Sequence, residues 1–185
     1  MHTSNVESII SGNEQLANFW SNCHGWAPDS AADLMSKSRL DRQLSLSKTL
    51  LKWNFDSECS DGDLILAWAN LGALIEGTLK LFLSVYYEDY SSDLNKIIRK
   101  GEQVDPDSLT LENLKQFIRK KDLFGEEWYP YIELVQQRRN AIHSYKDRSI
   151  GDKDEFNESV EKYLLFMRCV NKHLPYPEGG YGPRF

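Results

Sequence analysis

The chain has 185 residues, 41% of them hydrophobic and 12% aromatic, with a formal net charge of −6. That length suits one domain, or one domain with an added arm, and the apolar content excludes a disordered chain. The negative balance excludes a surface that is basic throughout, although a local basic patch can still serve a nucleic acid.

Helical periodicity dominates, and strand-like alternation is not sustained anywhere. A first helix is predicted over 6–20, then a connector through Gly25 and Pro28 with Asp29 or Ser30 as the next N-cap. A second helix is predicted over 30–53. The polar loop 57–62 leads to a long third helix over 63–90, capped by Asp61 or Asp63 and apolar on most sides. Its middle carries Glu76 and Lys80, which argues for a buried helix at the centre of a bundle rather than a membrane span. A short helix over 91–100 closed by Gly101, a helix over 110–121 and a helix over 128–144 with Pro130 in its first turn follow. The turn 146–152 leads to a last helix over 153–173. The tail, rich in Pro and Gly, cannot be helical and is either loose or draped over a surface.

The expected architecture is therefore an all-α helical bundle. Residues 1–60 form an N-terminal helical extension packed on the core, 61–174 the bundle itself, and 175–185 an irregular tail. Cys23, Cys59 and Cys169 are odd in number and widely spaced, so reduced thiols are expected rather than a disulfide framework or a zinc site. The N-terminal residues show neither a basic nor an apolar leader region, so a cytoplasmic protein without a membrane span is expected. No Walker loop, GxGxxG, HExxH or GxSxG occurs, which leaves nucleotide hydrolysis, dinucleotide redox chemistry, zinc proteolysis and serine hydrolysis without support. No cofactor and no metal are expected.

Chemistry concentrates at Arg138-Arg139-Asn140-Ala141-Ile142-His143-Ser144-Tyr145. At about 100° per residue, Trp128, Tyr131, Val135 and Ile142 share one apolar stripe. Arg138 and Arg139 flank that stripe on opposite sides, His143 borders it on the Arg139 side, and Asn140 points away. Arg138 and His143 lie roughly 140° apart in an ideal helix, so they converge only across the stripe or if the helix loosens before His143. An arginine beside an apolar stripe needs an acid, a carbonyl or a phosphate. Arginine with histidine is also what phosphodiester cleavage requires. The imidazole moves a proton near neutral pH, and the guanidinium grips a phosphate and stabilises developing charge. The structural alternative is that both arginines form salt bridges to neighbouring helices while His143 caps a helix C-terminus. The stretch 115–148 holds eight basic and five acidic residues, a net +3 within a chain of net −6, so an RNA backbone would prefer this region.

The run from Arg138 to His143 fits the Arg-x4-His pattern of the HEPN superfamily (higher eukaryotes and prokaryotes nucleotide-binding domains). Ser144-Tyr145 extends it to Arg-x4-His-x-Tyr, which resembles the HEPN toxins paired with minimal nucleotidyltransferase antitoxins. Leu71 to Lys80 resembles the family's earlier core helix. The resemblance implies a HEPN-like bundle with extra N-terminal helices and a homodimer with its site in a cleft between protomers. It also implies a metal-independent endoribonuclease that leaves a cyclic phosphate, in a toxin–antitoxin or antiviral defence setting. Carried over, Arg138 holds the phosphate, His143 is the acid or base, and Tyr145 matches the tyrosine that a nucleotidyltransferase partner modifies. Glu76 matches the earlier-helix residue that orients the motif arginine, and Arg139 and Asn140 support the site. The motif arginine stays open between two positions. Arg138 has the usual spacing to His143, whereas Arg139 is followed directly by Asn, as in the family, but stands only three residues before it. The competing expectation is a non-catalytic HEPN-like module that uses the same stripe to dimerise or bind a partner.

Overall fold

A computed structural model describes residues 3–53, 59–143, 145–177 and 182–185. Among the described residues the chain forms eight α-helices and one two-residue hairpin, an all-α bundle. α1 (Thr3–Trp20) packs against α3 (Leu40–Thr49) and α8 (Lys153–Lys172). α2 (Asp29–Lys37), α3, α7 (Trp128–Arg139) and α8 surround α4 (Asp61–Val85). One continuous hydrophobic core runs from Val6 through Trp68, Leu71 and Ile132 to Leu174, so the first sixty residues contribute to the same interior as the rest.

α4 is the axle of this bundle. It starts at Ser60, whose side chain accepts the Asp63 N–H at 3.2 Å while Asp63 accepts the Ser60 N–H, a capping box in place of the expected Asp cap. Losing it in Ser60→Ala is expected to cost about 1 kcal/mol. A thermal melt should show this as a Tm fall of roughly 2–4 °C. α4 is long and apolar enough to cross a membrane by composition, yet Trp68, Leu71, Leu74, Ile75 and Leu79 are fully buried among the helices around it. Burial of that apolar surface is the main favourable term in holding the bundle together.

Three predicted helices in the first hundred residues differ from those observed. The helix expected over 30–53 is two helices, because Ser38 is extended (φ −70°, ψ 139°) and its hydroxyl bonds the Leu34 carbonyl, ending α2 locally. α3 then passes into a 3-10 turn, Leu50–Trp53. The helix expected to reach residue 90 stops at Val85. Tyr86 leaves helical geometry (φ −94°, ψ 36°), its hydroxyl donates to the His173 carbonyl, and α5 (Tyr87–Ser92) restarts beyond it. The helix expected over 91–100 does not form. β1 (Ile98–Arg99) and β2 (Glu102–Gln103) pair antiparallel around Lys100 (φ 54°) and Gly101 (φ 87°). Two central residues with positive φ are the signature of a two-residue hairpin turn, so Gly101 serves that turn and not a helix end. A 3-10 turn, Pro106–Ser108, leads to α6 (Leu111–Lys121), capped by Thr110.

The tail is draped. Gln15 on α1 bonds both the N–H and the carbonyl of Arg184, and Arg168 and Asn171 on α8 donate to the carbonyls of Phe185 and Pro183. Cys23, Cys59 and Cys169 are free thiols, and burial raises all three above the usual thiol pKa.

Candidate functional site

The site begins with the one face of α4 that the bundle leaves accessible. Ala69, Ala73, Glu76 and Lys80 recur every three or four residues and so share a side of the helix. Lys80 Nζ lies 2.9 Å from Glu76 Oε1, the favourable acid-then-base arrangement four residues apart. α7 crosses this face, and Arg139 Nη1 donates to the other Glu76 oxygen at 2.7 Å. Glu76 thus stands between two cations, and the three groups together carry a net positive charge.

Gly72 makes this crossing fit. A Cβ there would lie 2.5 Å from Arg139 Cδ and 3.0 Å from Arg139 Cβ, so the arginine stem lies directly on the glycine. Gly72→Ala is therefore expected to lower Tm even though alanine is the better helix former by about 1 kcal/mol. A melt showing a higher Tm would refute this close packing.

α7 does not run to residue 144 as its apolar pattern implies. It ends at Arg139 and tightens into a 3-10 turn, Asn140–Ile142, with the His143 N–H bonded to the Asn140 carbonyl at 3.2 Å. The change of pitch takes Ile142 off the buried stripe of Trp128, Tyr131 and Val135 and leaves it 46% exposed. The tighter turn also brings His143 over Asn140, three residues before it, and both line the cleft. An open cleft of about 710 Å³ results, lined by Glu76, Lys80, Arg139, Asn140, Ile142 and His143 and rimmed by residues 108–112. At the rim Glu112 accepts from Lys115 at 2.9 Å and from Gln136 at 2.8 Å, and Lys115, then Gln136, hold its carboxyl below the usual range. The carbonyl oxygen of the Gln136 side chain is buried without a partner among the described residues.

The two arginines part company. Arg138 spends all three guanidinium nitrogens on the protein. Nε and Nη2 grip the Glu155 carboxylate at 2.8 and 2.9 Å, and Nη1 donates to the Ser149 carbonyl at 2.9 Å. It does not line the cleft. Arg139 uses only Nη1 among the described residues, so Nε and Nη2 remain to serve a ligand in the cleft.

Of the residues singled out in the sequence, Glu76, Arg139, Asn140 and His143 meet in one cleft, Arg138 faces α8, and Tyr145 is fully exposed outside it. Ser144 lies outside the described residues. Lys80, read from the sequence only as a charge in the middle of a buried helix, is a cleft cation in its own right. Its i, i+4 spacing was the available signal, whereas nothing in the sequence pairs Arg138 with Glu155. Among the described residues no three His, Cys, Asp or Glu side chains gather as metal ligands would. Comparison with protein-family models, with curated proteins and with solved structures finds no match to this chain.

Proposed function

We propose that the chain is a HEPN-type endoribonuclease that cleaves RNA without a metal ion and acts as a homodimer, with Arg139 rather than Arg138 as its phosphate-binding arginine. The observation that carries this reading is the shared cleft, where a guanidinium with two donor nitrogens uncommitted among the described residues, and an imidazole unpaired among them, line one open cavity. In the proposed reaction His143 takes the proton of a ribose 2′-hydroxyl, the 2′-oxygen attacks the adjacent phosphorus, and the bond to the 5′-oxygen breaks. A cyclic phosphate forms, and the leaving oxygen takes a proton from the imidazolium of a second copy. Arg139 and Lys80 meet the charge that grows on the phosphate oxygens, with Glu76 holding both in place.

Dimerisation draws support from apolar residues left exposed beside the cleft. Ile142 is 46% exposed and Leu66, one turn before Ala69 on α4, is 51% exposed. The defence or toxin–antitoxin setting rests on the motif. In that setting Tyr145 offers its exposed hydroxyl to a nucleotidyltransferase partner.

A non-catalytic interaction module is the second reading. It is favoured by the pairing of both arginines with carboxylates, Arg138 with Glu155 and Arg139 with Glu76. The open cleft beside His143 weighs against it, since that reading expects the histidine to be covered. Incubation of the purified chain with mixed RNAs in excess EDTA separates the two. Fragments ending in cyclic phosphate, from a protein that light scattering shows to be dimeric, are expected. Uncut RNA, tested with and without the product of a neighbouring gene, would sink the nuclease.

A further inference from the structure

A second cavity, of about 340 Å³, lies where the end of α4, α5 and the end of α6 meet. This is within the size range of small-molecule sites, roughly 300 Å³ and above. The rings of Phe82, Tyr86, Tyr90 and Phe117 form its walls. Its polar groups decide what it can hold. Lys121 is neutralised by Asp93 at 2.6 Å, and Asp93 also accepts the Asn95 N–H at 2.8 Å. The Tyr86 hydroxyl donates its proton to the His173 carbonyl. His173 Nδ1 lies 2.8 Å from the Cys169 carbonyl and donates to it. The Asp89 carboxylate is exposed and has no ion-pair partner among the described residues. The lining thus sets two carboxylates, Asp89 and Asp93, against one ammonium, Lys121, and the aromatic faces also favour positive charge.

We propose that this cavity binds an organic ammonium ion with an apolar body, its hydrocarbon part among Phe82, Tyr86 and Phe117 and its ammonium group on Asp89. An anionic ligand would meet two carboxylates, Asp89 and Asp93, against the one Lys121 ammonium. A neutral ligand would gain the apolar contact and leave Asp89 unused. The site does not depend on the nuclease reading, because it shares no residue with the cleft around His143.

Isothermal titration of the full chain with three probes of one shape, phenethylamine, phenethyl alcohol and hydrocinnamate, tests the proposal. The amine is expected to bind at least about tenfold more tightly than either of the others, the scale of one charge-assisted hydrogen bond. Asp89→Asn, at an exposed position where circular dichroism should show the fold intact, is expected to bring the amine down to the level of the alcohol. Equal affinity of the amine for both proteins, or tighter binding of hydrocinnamate, would overturn the proposal. So would the absence of saturable amine binding up to about 10 mM.

Discussion

His143→Ala is expected to slow RNA cleavage by about 10²- to 10⁴-fold, the usual contribution of a positioned acid–base group. Helical content and Tm should stay unchanged, since the ring is exposed and makes no hydrogen bond among the described residues. Arg139→Ala is expected to cost about 10²- to 10³-fold, the scale of one donor to a developing oxyanion. Arg139→Lys should recover part of that loss, because a lysine supplies charge without the planar pair of donors. Single-turnover cleavage assays with each variant provide the measurement. Equal losses for Arg138→Ala and Arg139→Ala, at equal folded fractions, would refute the assignment of the phosphate contact to Arg139.

Arg138→Ala is instead expected to act on stability. Its side chain is 15% exposed and that of Glu155 31%, so removal leaves a half-buried carboxylate and the Ser149 carbonyl without their donor. Losses of this type run to about 1–3 kcal/mol where solvent can partly compensate. At roughly 2–4 °C per kcal/mol the melting temperature should fall by several degrees. Activity per folded molecule should change little beside the effect of Arg139→Ala. The double variant Arg138→Ala/Glu155→Ala should melt above the temperature that adding the two single effects gives, because the second change removes the stranded charge. Strict additivity would mean that the pair contributes nothing as a pair.

The architecture was readable in the sequence because its strongest signal is the apolar periodicity of long helices. α1, α4, α6 and α8 stand within a few residues of their expected positions. The departures occur where one side chain or turn overrides that periodicity: the Ser38 hydroxyl on Leu34, the Tyr86 hydroxyl on His173, and the positive-φ pair Lys100 and Gly101. At the site, the helical wheel placed Arg139 and His143 on one side correctly. It misplaced Ile142, because the wheel assumes one pitch and the chain changes to another after Arg139. The division between the two arginines was out of reach of any local pattern. It depends on Glu76, 63 residues before Arg139, and on Glu155, 17 residues after Arg138.

The segment between α7 and α8 has a further consequence. Arg138 fastens the Ser149 carbonyl, and Trp68 Nε1 fastens the Ile150 carbonyl at 2.8 Å. Tyr145 sits upstream of both moorings, just past His143. The chain around Tyr145 is thus tied back to the bundle four and five residues further on, and bulk added at its exposed hydroxyl would meet solvent before it met the core.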